Sequence, residues 1–245
     1  MNIKAGTKLS DAIHNNYLLL PILNRFGIQL GFGDITVEQI CEKQEVNLKF
    51  FLEIVNSFLD KNYFPEAELQ NFPLKLIVDY IKRSHVFYLD FKMPQIEQMI
   101  NNLYELAPSE NKKSFQLIRN FFAEYKKDLF NHIEKEEKEV HPYILKIDQA
   151  YYSNTITGDI VELVNKESIS KYADDHDNVE DKLYDLKNLI IKYLPPIPDY
   201  TLSNAILFEL FRLERDLNDH SRIEEKVLVP KMQAIEKQIL ESNEY

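Results

Sequence analysis

A motif that occurs twice constrains the fold of this chain more than any other feature. The motif reads Asp-Leu-x-x-His-x-x-x-Glu-Glu-Lys followed by proline, and its second copy lies 88 residues after the first. In a helix, residues four apart lie on one face, one turn above each other. His132 therefore lies beside Glu136, and His220 lies beside Glu224. Because imidazole and carboxylate together suit iron, manganese or zinc better than calcium, each copy predicts one side of a metal site.

The pattern of apolar residues predicts an all-α protein whose larger part is a four-helix bundle. The 245 residues include only 5 glycines and no tryptophan, and they are rich in the helix-favouring residues Lys, Glu and Leu. Beyond residue 73, four long segments space their apolar residues by alternating threes and fours, as helices around a shared core do. Pro108, a longer connection over 153–168, and the prolines from Pro195 onwards separate these segments.

The chain divides into a small N-terminal part and the bundle. We predict a helical N-terminal domain over 1–62, a linker over 63–73 and the four-helix bundle over 74–245. Local signals place helices in the first part. Thr36 and Asn47 are of the residue types that begin helices, and Gly27 is of the type that ends them.

Composition argues against several classes of function. The formal net charge is −11, and residues 1–62 mix acidic and basic side chains, so we do not expect a nucleic-acid partner. No apolar segment is long enough to span a membrane, so we do not expect the protein to have a membrane partner. Cys41 is the single cysteine and can form no internal disulfide, which favours a cytoplasmic protein.

Each bundle segment carries one histidine where the pattern otherwise places Leu, Ile or Phe, and two segments add a glutamate one turn later. The predicted metal ligands are His85, His132, Glu136, His176, His220 and Glu224. Each of these groups would cost about 1–3 kcal/mol if it were buried without a partner, and a metal centre removes that cost. Four histidines and two carboxylates suit two ions, each bound by two histidines and both bridged by the carboxylates.

Other polar residues near the motif are predicted to lie outside the site. Glu137 and Glu225 are five residues beyond the motif histidines and off their face, so we interpret them as solvated charges. His141 is nine residues beyond His132, about half a turn around a regular helix, and is predicted to face away. Three tyrosines on the same segments are predicted to pack in the core, with room for one to border the metals: Tyr88, Tyr125 and Tyr172.

The predicted ligand set resembles that of hemerythrin-like domains, and the chain is most similar to the iron–sulfur cluster repair di-iron proteins (the RIC family). That family has a His-x-x-x-Glu-Glu element followed by proline in its second helix, a related element in its fourth, and a short helical N-terminal domain. The resemblance covers roughly residues 8–235. It implies a hemerythrin-like bundle with two carboxylate-bridged non-haem iron ions, which an oxo or hydroxo group can also bridge.

The chain departs from that family at one place. The family usually carries a Cys-Cys pair after its Gly-Ile, and this chain has Gly31 and Phe32 there. The resemblance therefore carries over no thiol chemistry. A ferritin-like di-iron centre would need Glu-x-x-His, and no histidine of this chain has a glutamate three residues before it.

The resemblance implies a role in repairing iron–sulfur clusters damaged by nitrosative or oxidative stress, by iron donation or by small-molecule binding. Damaged iron–sulfur proteins would then be the partners, and O2 or NO the small ligands. Two alternatives stay open: a sensor of oxygen, nitric oxide or redox state that signals through the N-terminal domain, and an enzyme such as a nitric oxide reductase or oxidase. Iron delivery would favour the first role, ligand-dependent partner binding the second, and turnover the third. Formation of a homodimer is also open.

Overall fold

The protein is helical throughout the part of the chain that the structure describes. The computed structural model describes residues 2–174, 179–196 and 200–242. Within these ranges the regular elements are helices, with one isolated backbone bridge between Lys8 and Thr36. The predicted all-α class is therefore confirmed. None of the helices in these ranges is long and apolar enough to cross a membrane.

The N-terminal part contains four short helices whose ends follow local sequence signals. The side chains of Thr36 and Gln39 form a reciprocal capping box at the start of the third helix, and Asn47 caps the fourth by accepting a hydrogen bond from the N–H of Phe50. Gly27 follows the second helix at a φ of 75°, which favours glycine. The helices are α1 (Leu9–Asn15), α2 (Leu20–Arg25), α3 (Val37–Lys43) and α4 (Leu48–Leu59), with a 3-10 turn at Tyr17–Leu19 before α2.

The segment predicted to be a linker contains a short helix and packs against its neighbours. This helix is α5 (Glu66–Gln70), and the side chains of Leu69 and Phe72 are buried. The apolar core of the N-terminal part continues into the bundle, where the ring centroids of Phe26 and Tyr80 are 5.2 Å apart. The division at residues 62 and 74 stays a prediction.

Three of the bundle helices are long and interrupted by a π-helical turn. The first consists of α6 (Leu74–Val86), a π turn (Phe87–Lys92) and α7 (Met93–Leu106). The second, after a 3-10 turn at Ser109–Asn111, consists of α8 (Lys112–Lys135), a π turn (Glu136–Val140) and α9 (His141–Tyr152). The connection predicted over 153–168 contains α10 (Gly158–Glu167), and the third segment contains α11 (Ile169–Asp174) and α12 (Val179–Tyr193). The fourth consists of α13 (Tyr200–Ile223), a π turn (Glu224–Leu228) and α14 (Val229–Ser242).

Each π turn ends just before a proline, which explains its position. The residue before the proline donates its N–H to the carbonyl five residues earlier: Met93 to Tyr88, His141 to Glu136, and Val229 to Glu224. Proline has no N–H, and its ring clashes with the carbonyl four residues before it, so a regular α turn is disfavoured there. A π turn adds one residue and rotates everything beyond it by about 100°. The sequence repeat is therefore also a repeat of backbone geometry.

The predicted ligands on the three long helices lie at the level where one apolar cluster gives way to another. The first cluster combines the N-terminal part with one end of the bundle, and the second fills the other end. Along each long helix the clusters change on either side of the ligands: between Ile81 and Tyr88, between Ile133 and Val140, and between Leu217 and Ile223. The polar layer is thus enclosed by apolar residues on both sides.

Candidate metal centre

Four of the predicted ligands form one compact group in this layer. His85, Glu136, His220 and Glu224 each offer one ligand atom, and these atoms all lie within 4.8 Å of one another. All four side chains are buried. They come from the first, second and fourth bundle helices, so the fold and not one local segment brings them together. Such a group can hold a metal ion.

The two oxygens of Glu136 face histidines on different helices. Its Oε2 lies 3.1 Å from Nε2 of His85, and its Oε1 lies 3.3 Å from Nε2 of His132. A carboxylate placed in this way can give one oxygen to each of two ions. The arrangement therefore has the geometry that a bridging ligand needs.

The remaining atoms of the group also fit a cation. Nε2 of His220 lies 3.3 Å from Nε2 of His85 and 3.2 Å from Oε1 of Glu224. Oε2 of Glu224 is buried and has no hydrogen-bond donor among the described residues. Because buried polar atoms are nearly always satisfied in native proteins, this oxygen is in a position to receive a metal ion.

The two buried carboxylates of the group have pKa values that are shifted in opposite directions. Burial opposes ionisation of Glu136, but the imidazoles of His132 and His85 outweigh it and hold the pKa of Glu136 well below its usual range. Burial and the negative charge of Glu136 raise the pKa of Glu224 well above its usual range. Burial also lowers the pKa of His220, together with the charge of His85, to about 3. A metal cation would compensate both carboxylates at once.

Of the other two predicted ligands, only His132 belongs to the part of the chain that the structure describes. His132 lies at the edge of the group through its contact with Glu136, and 18% of its side chain is exposed, compared with 1% for His85. His176 lies outside the described residues.

The prediction that His141 faces away from the site is wrong. Its side chain is 1% exposed, and its ring is stacked on that of His85 with centroids 5.6 Å apart and an interplanar angle of 11°. The cause is the π turn at Glu136–Val140, whose extra residue turns His141 back towards the site. Burial and the neighbouring charge of His85 lower the pKa of His141 to about 4, so its imidazole is neutral at physiological pH.

The prediction that Glu137 is a solvated charge is wrong in part: 40% of its side chain is exposed, but its carboxylate contacts a predicted ligand. Its Oε1 lies 3.0 Å from Nδ1 of His85. Although burial alone would lower the pKa of His85, its contacts with Glu136 and Glu137 outweigh burial and raise that pKa to about 9. Glu137 thus fixes the orientation of a predicted ligand through the nitrogen that faces away from the group. The equivalent residue in the second copy, Glu225, is exposed as predicted.

This contact predicts that Glu137→Gln weakens metal binding. A carboxylate that holds the second nitrogen of a ligating histidine fixes the ring and increases its basicity, and its loss typically lowers metal affinity about 10–100-fold. Competition against a chelator of known affinity would measure the change. Glu225→Gln is the matched control, since it removes an exposed carboxylate from the equivalent position of the repeat. Equal affinities of the two variants would contradict the role of Glu137.

Two further contacts occur at the site; the sequence allows for the first, since one of three tyrosines could border the metals, but it does not identify Tyr172 as that residue. The hydroxyl of Tyr172 donates a hydrogen bond to Oε1 of Glu136; its position four residues before His176 is the signal that could have identified it. The guanidinium of Arg25, on α2, forms a buried ion pair with Asp216, one turn before His220. The sequence repeat identifies Asp216 as part of the motif, but nothing in the sequence indicates that Arg25 is its partner. The other two tyrosines pack in the core as predicted: Tyr88 and Tyr125.

Comparison with known proteins agrees with this geometry. The iron-sulfur cluster repair protein ScdA of Staphylococcus haemolyticus (strain JCSC1435) is 19% identical to this chain over 223 residues, which are 87% of this chain and 92% of that protein. A family model described as the hemerythrin HHE cation binding domain matches residues 94–232. The matched segment is more than half of the chain and contains both His-x-x-x-Glu elements, so this chain belongs to the hemerythrin HHE cation-binding domain family.

Proposed function

We propose that this protein is a non-haem di-iron protein that repairs iron–sulfur clusters damaged by nitrosative or oxidative stress. The observation that carries the proposal is the buried group of two histidines and two glutamates, drawn from three helices, with ligand atoms within 4.8 Å of one another. Similarity to a protein named for iron–sulfur cluster repair along most of both chains supports the cellular role. Damaged iron–sulfur proteins are then its partners.

The distances support an assignment of ligands to two metal positions. One position takes His85 and His220, whose Nε2 atoms are 3.3 Å apart, with one oxygen from each glutamate. The other takes His132 with Oε1 of Glu136, which are 3.3 Å from each other. His176 is assigned to this second position from the sequence alone. Glu136 bridges the two positions in this assignment, and Glu224 is assigned the same role from its equivalent place in the sequence repeat.

The residues of the site suit reversible binding of iron. Bound iron would supply open positions for O2 or NO and a supply of ions for transfer to a damaged cluster. Imidazole and carboxylate bind divalent iron without the thiolates that would favour zinc or a cluster. The apolar residues on both sides of the layer exclude water from the ligands.

The proposed repair does not use a thiol of this chain. Cys41 is 1% exposed, and burial raises the pKa of its thiol to about 11. A thiol that is neutral and enclosed in apolar surroundings is a poor nucleophile and a poor metal ligand. Iron transfer from the histidine and carboxylate ligands therefore fits the chain better than thiol chemistry.

A sensor is the second candidate function, and the contact between Arg25 and Asp216 favours it. This buried ion pair connects α2 of the N-terminal part to the helix that carries His220. A change at the metal position that moves this helix would reach the N-terminal part through the pair. In that case the output would be binding of a protein partner by residues 1–62.

Iron transfer to a damaged cluster protein is the direct test of the proposed function. We expect protein purified without added metal to contain two irons per chain. Under argon, it should restore activity to a cluster-dependent dehydratase that has been damaged by nitric oxide. Metal-free protein should restore none. Zinc in place of iron after growth in iron-replete medium, or no restoration by the loaded protein, would contradict the proposal.

A further inference from the structure

A cavity on the outside of the bundle is lined in part by a residue that contacts a predicted ligand. It has a volume of about 260 Å³, and its wall includes Lys135, Glu139 and Val140 of the second bundle helix together with Tyr143, Ile169 and Tyr172. Three of these residues lie within four positions of Glu136 in the sequence. The cavity therefore opens beside the helix segment that carries this glutamate.

Tyr172 connects this cavity to the predicted ligands. Its ring forms part of the cavity wall, and its hydroxyl donates a hydrogen bond to Oε1 of Glu136. The same oxygen faces Nε2 of His132 at 3.3 Å. Tyr172 thus stands between the cavity and the metal position that His132 and Oε1 of Glu136 define.

The two metal positions differ in their access to solvent. The side chain of His132 is 18% exposed, whereas those of His85 and His220 are 1% and 6% exposed. The inner position is also closed by His141, whose ring is stacked on that of His85. The inner position is therefore the more enclosed of the two, as judged from the described residues.

The short helix that carries Tyr172 is fixed independently of the metal site. Oε1 of Glu236, on α14, accepts hydrogen bonds from the N–H of Ile169 and from the hydroxyl of Tyr143, and Oε2 accepts one from Ser168. Glu236 is 5% exposed, and its bonds with Ile169 and Ser168 hold the start of α11 against the bundle. Removing the hydroxyl of Tyr172 therefore changes its contact with Glu136 and leaves these attachments of α11 in place.

We infer that the two metal positions are functionally unequal: the His132 side is the exchangeable position, and Tyr172 controls the passage of its ion to and from the outer cavity. This inference rests on the proposed function and deepens it, because it identifies the position from which the transferred iron comes. The ion is the cargo, and the imidazole and carboxylate ligands stay with the protein. The position between His85 and His220 retains its ion and keeps the fold of the site intact during transfer.

Release of iron to a chelator tests the inference without reference to repair. Protein loaded with ferrous iron under argon and mixed with a chromogenic ferrous chelator should release iron in two phases, one equivalent fast and one slow. Tyr172→Phe should accelerate the fast phase about 10–100-fold, since it removes a hydrogen bond to a ligating carboxylate. The slow phase should not change. His132→Ala should lack the fast phase and retain the slow equivalent.

Tyr143→Phe is the matched control, because Tyr143 lines the same cavity and donates its hydroxyl to Glu236 instead of Glu136. It should leave both phases unchanged. Release of both equivalents at one rate, no effect of Tyr172→Phe, or an equal effect of Tyr143→Phe would each overturn the inference. If iron is released in two phases but no cluster is repaired, the proposed function is wrong and the inference stands. If clusters are repaired but both equivalents are released at one rate, the proposed function stands and the inference is wrong.

Discussion

Replacement of either Glu136 or Glu224 by glutamine is expected to remove more than one equivalent of iron per chain. Glutamine keeps the size of the side chain but removes the negative charge, and its amide nitrogen cannot bind a cation. The oxygens of Glu136 face His85 and His132 at 3.1 and 3.3 Å, so both metal positions would lose a ligand. Metal analysis of the purified variants would measure the loss.

Repulsion between the ions explains why the loss should exceed one equivalent. Two unit charges 4 Å apart repel by about 4 kcal/mol at an effective dielectric constant of 20, and two divalent ions repel by roughly four times as much. Carboxylates between the ions offset this repulsion, so removal of one carboxylate weakens both positions. A variant that retains one tightly bound iron would show that its glutamate is a terminal ligand.

Glu225→Gln is the control for both variants. Glu225 follows Glu224 directly in the sequence, but its side chain is exposed. The variant loses the same charge, from the bundle helix that also carries Glu224, and should keep both irons. Loss of iron from this control would mean that net charge alone, and not the position of the carboxylate, determines metal binding. Glu137→Gln cannot serve as a control, because Glu137 contacts His85.

Features that depend on a few neighbouring residues were predictable from the sequence. Thr36, Asn47 and Gly27 determine helix ends through hydrogen bonds and backbone angles within a few residues, and the helices begin and end where these residues predict. The bundle was predictable for a similar reason, since apolar spacing directly reports the face that a helix buries. The convergence of His85, Glu136, His220 and Glu224 follows from that spacing.

Predictions that assume a regular α-helix are wrong at the π turn Glu136–Val140. A count of 100° per residue predicts that His141 faces away from the site, and one extra residue in the turn at Glu136–Val140 invalidates that count. The signal was available in the proline that follows each turn, since Pro94, Pro142 and Pro230 all disfavour a regular helix. Residues after such a proline should therefore be assigned to a face only after the π turn has been considered.

Contacts between distant parts of the chain were beyond sequence reasoning. Arg25 and Asp216 are 191 residues apart, and nothing in the local sequence of either residue indicates its partner. Tyr172 reaches Glu136 because Glu236 holds the start of α11, which is again a tertiary contact. Single-sequence patterns report faces of helices, whereas these pairs depend on how the helices are arranged.

Arg25→Met is expected to lower the free energy of unfolding by about 3–5 kcal/mol, because it leaves the buried carboxylate of Asp216 without its counter-charge. Arg25 is 4% exposed and Asp216 is 7% exposed. Oδ1 of Asp216 already has no hydrogen-bond partner among the described residues, so solvent cannot replace the lost guanidinium easily. Chemical denaturation of the metal-free protein would measure the change without a contribution from metal binding.

The double variant Arg25→Met/Asp216→Leu separates the charge from the packing. Removing both members of a buried ion pair and replacing them with apolar side chains is often neutral or stabilising, so the double variant should be more stable than Arg25→Met alone. Lys8→Met provides an exposed comparison. Lys8 pairs with Asp34, but the two side chains are 49% and 71% exposed, so solvent screens the pair and its loss should cost far less than the loss of Arg25. If Arg25→Met costs no more than Lys8→Met, the buried pair does not hold the N-terminal part against the helix of His220, and the observation that favours a sensor is lost.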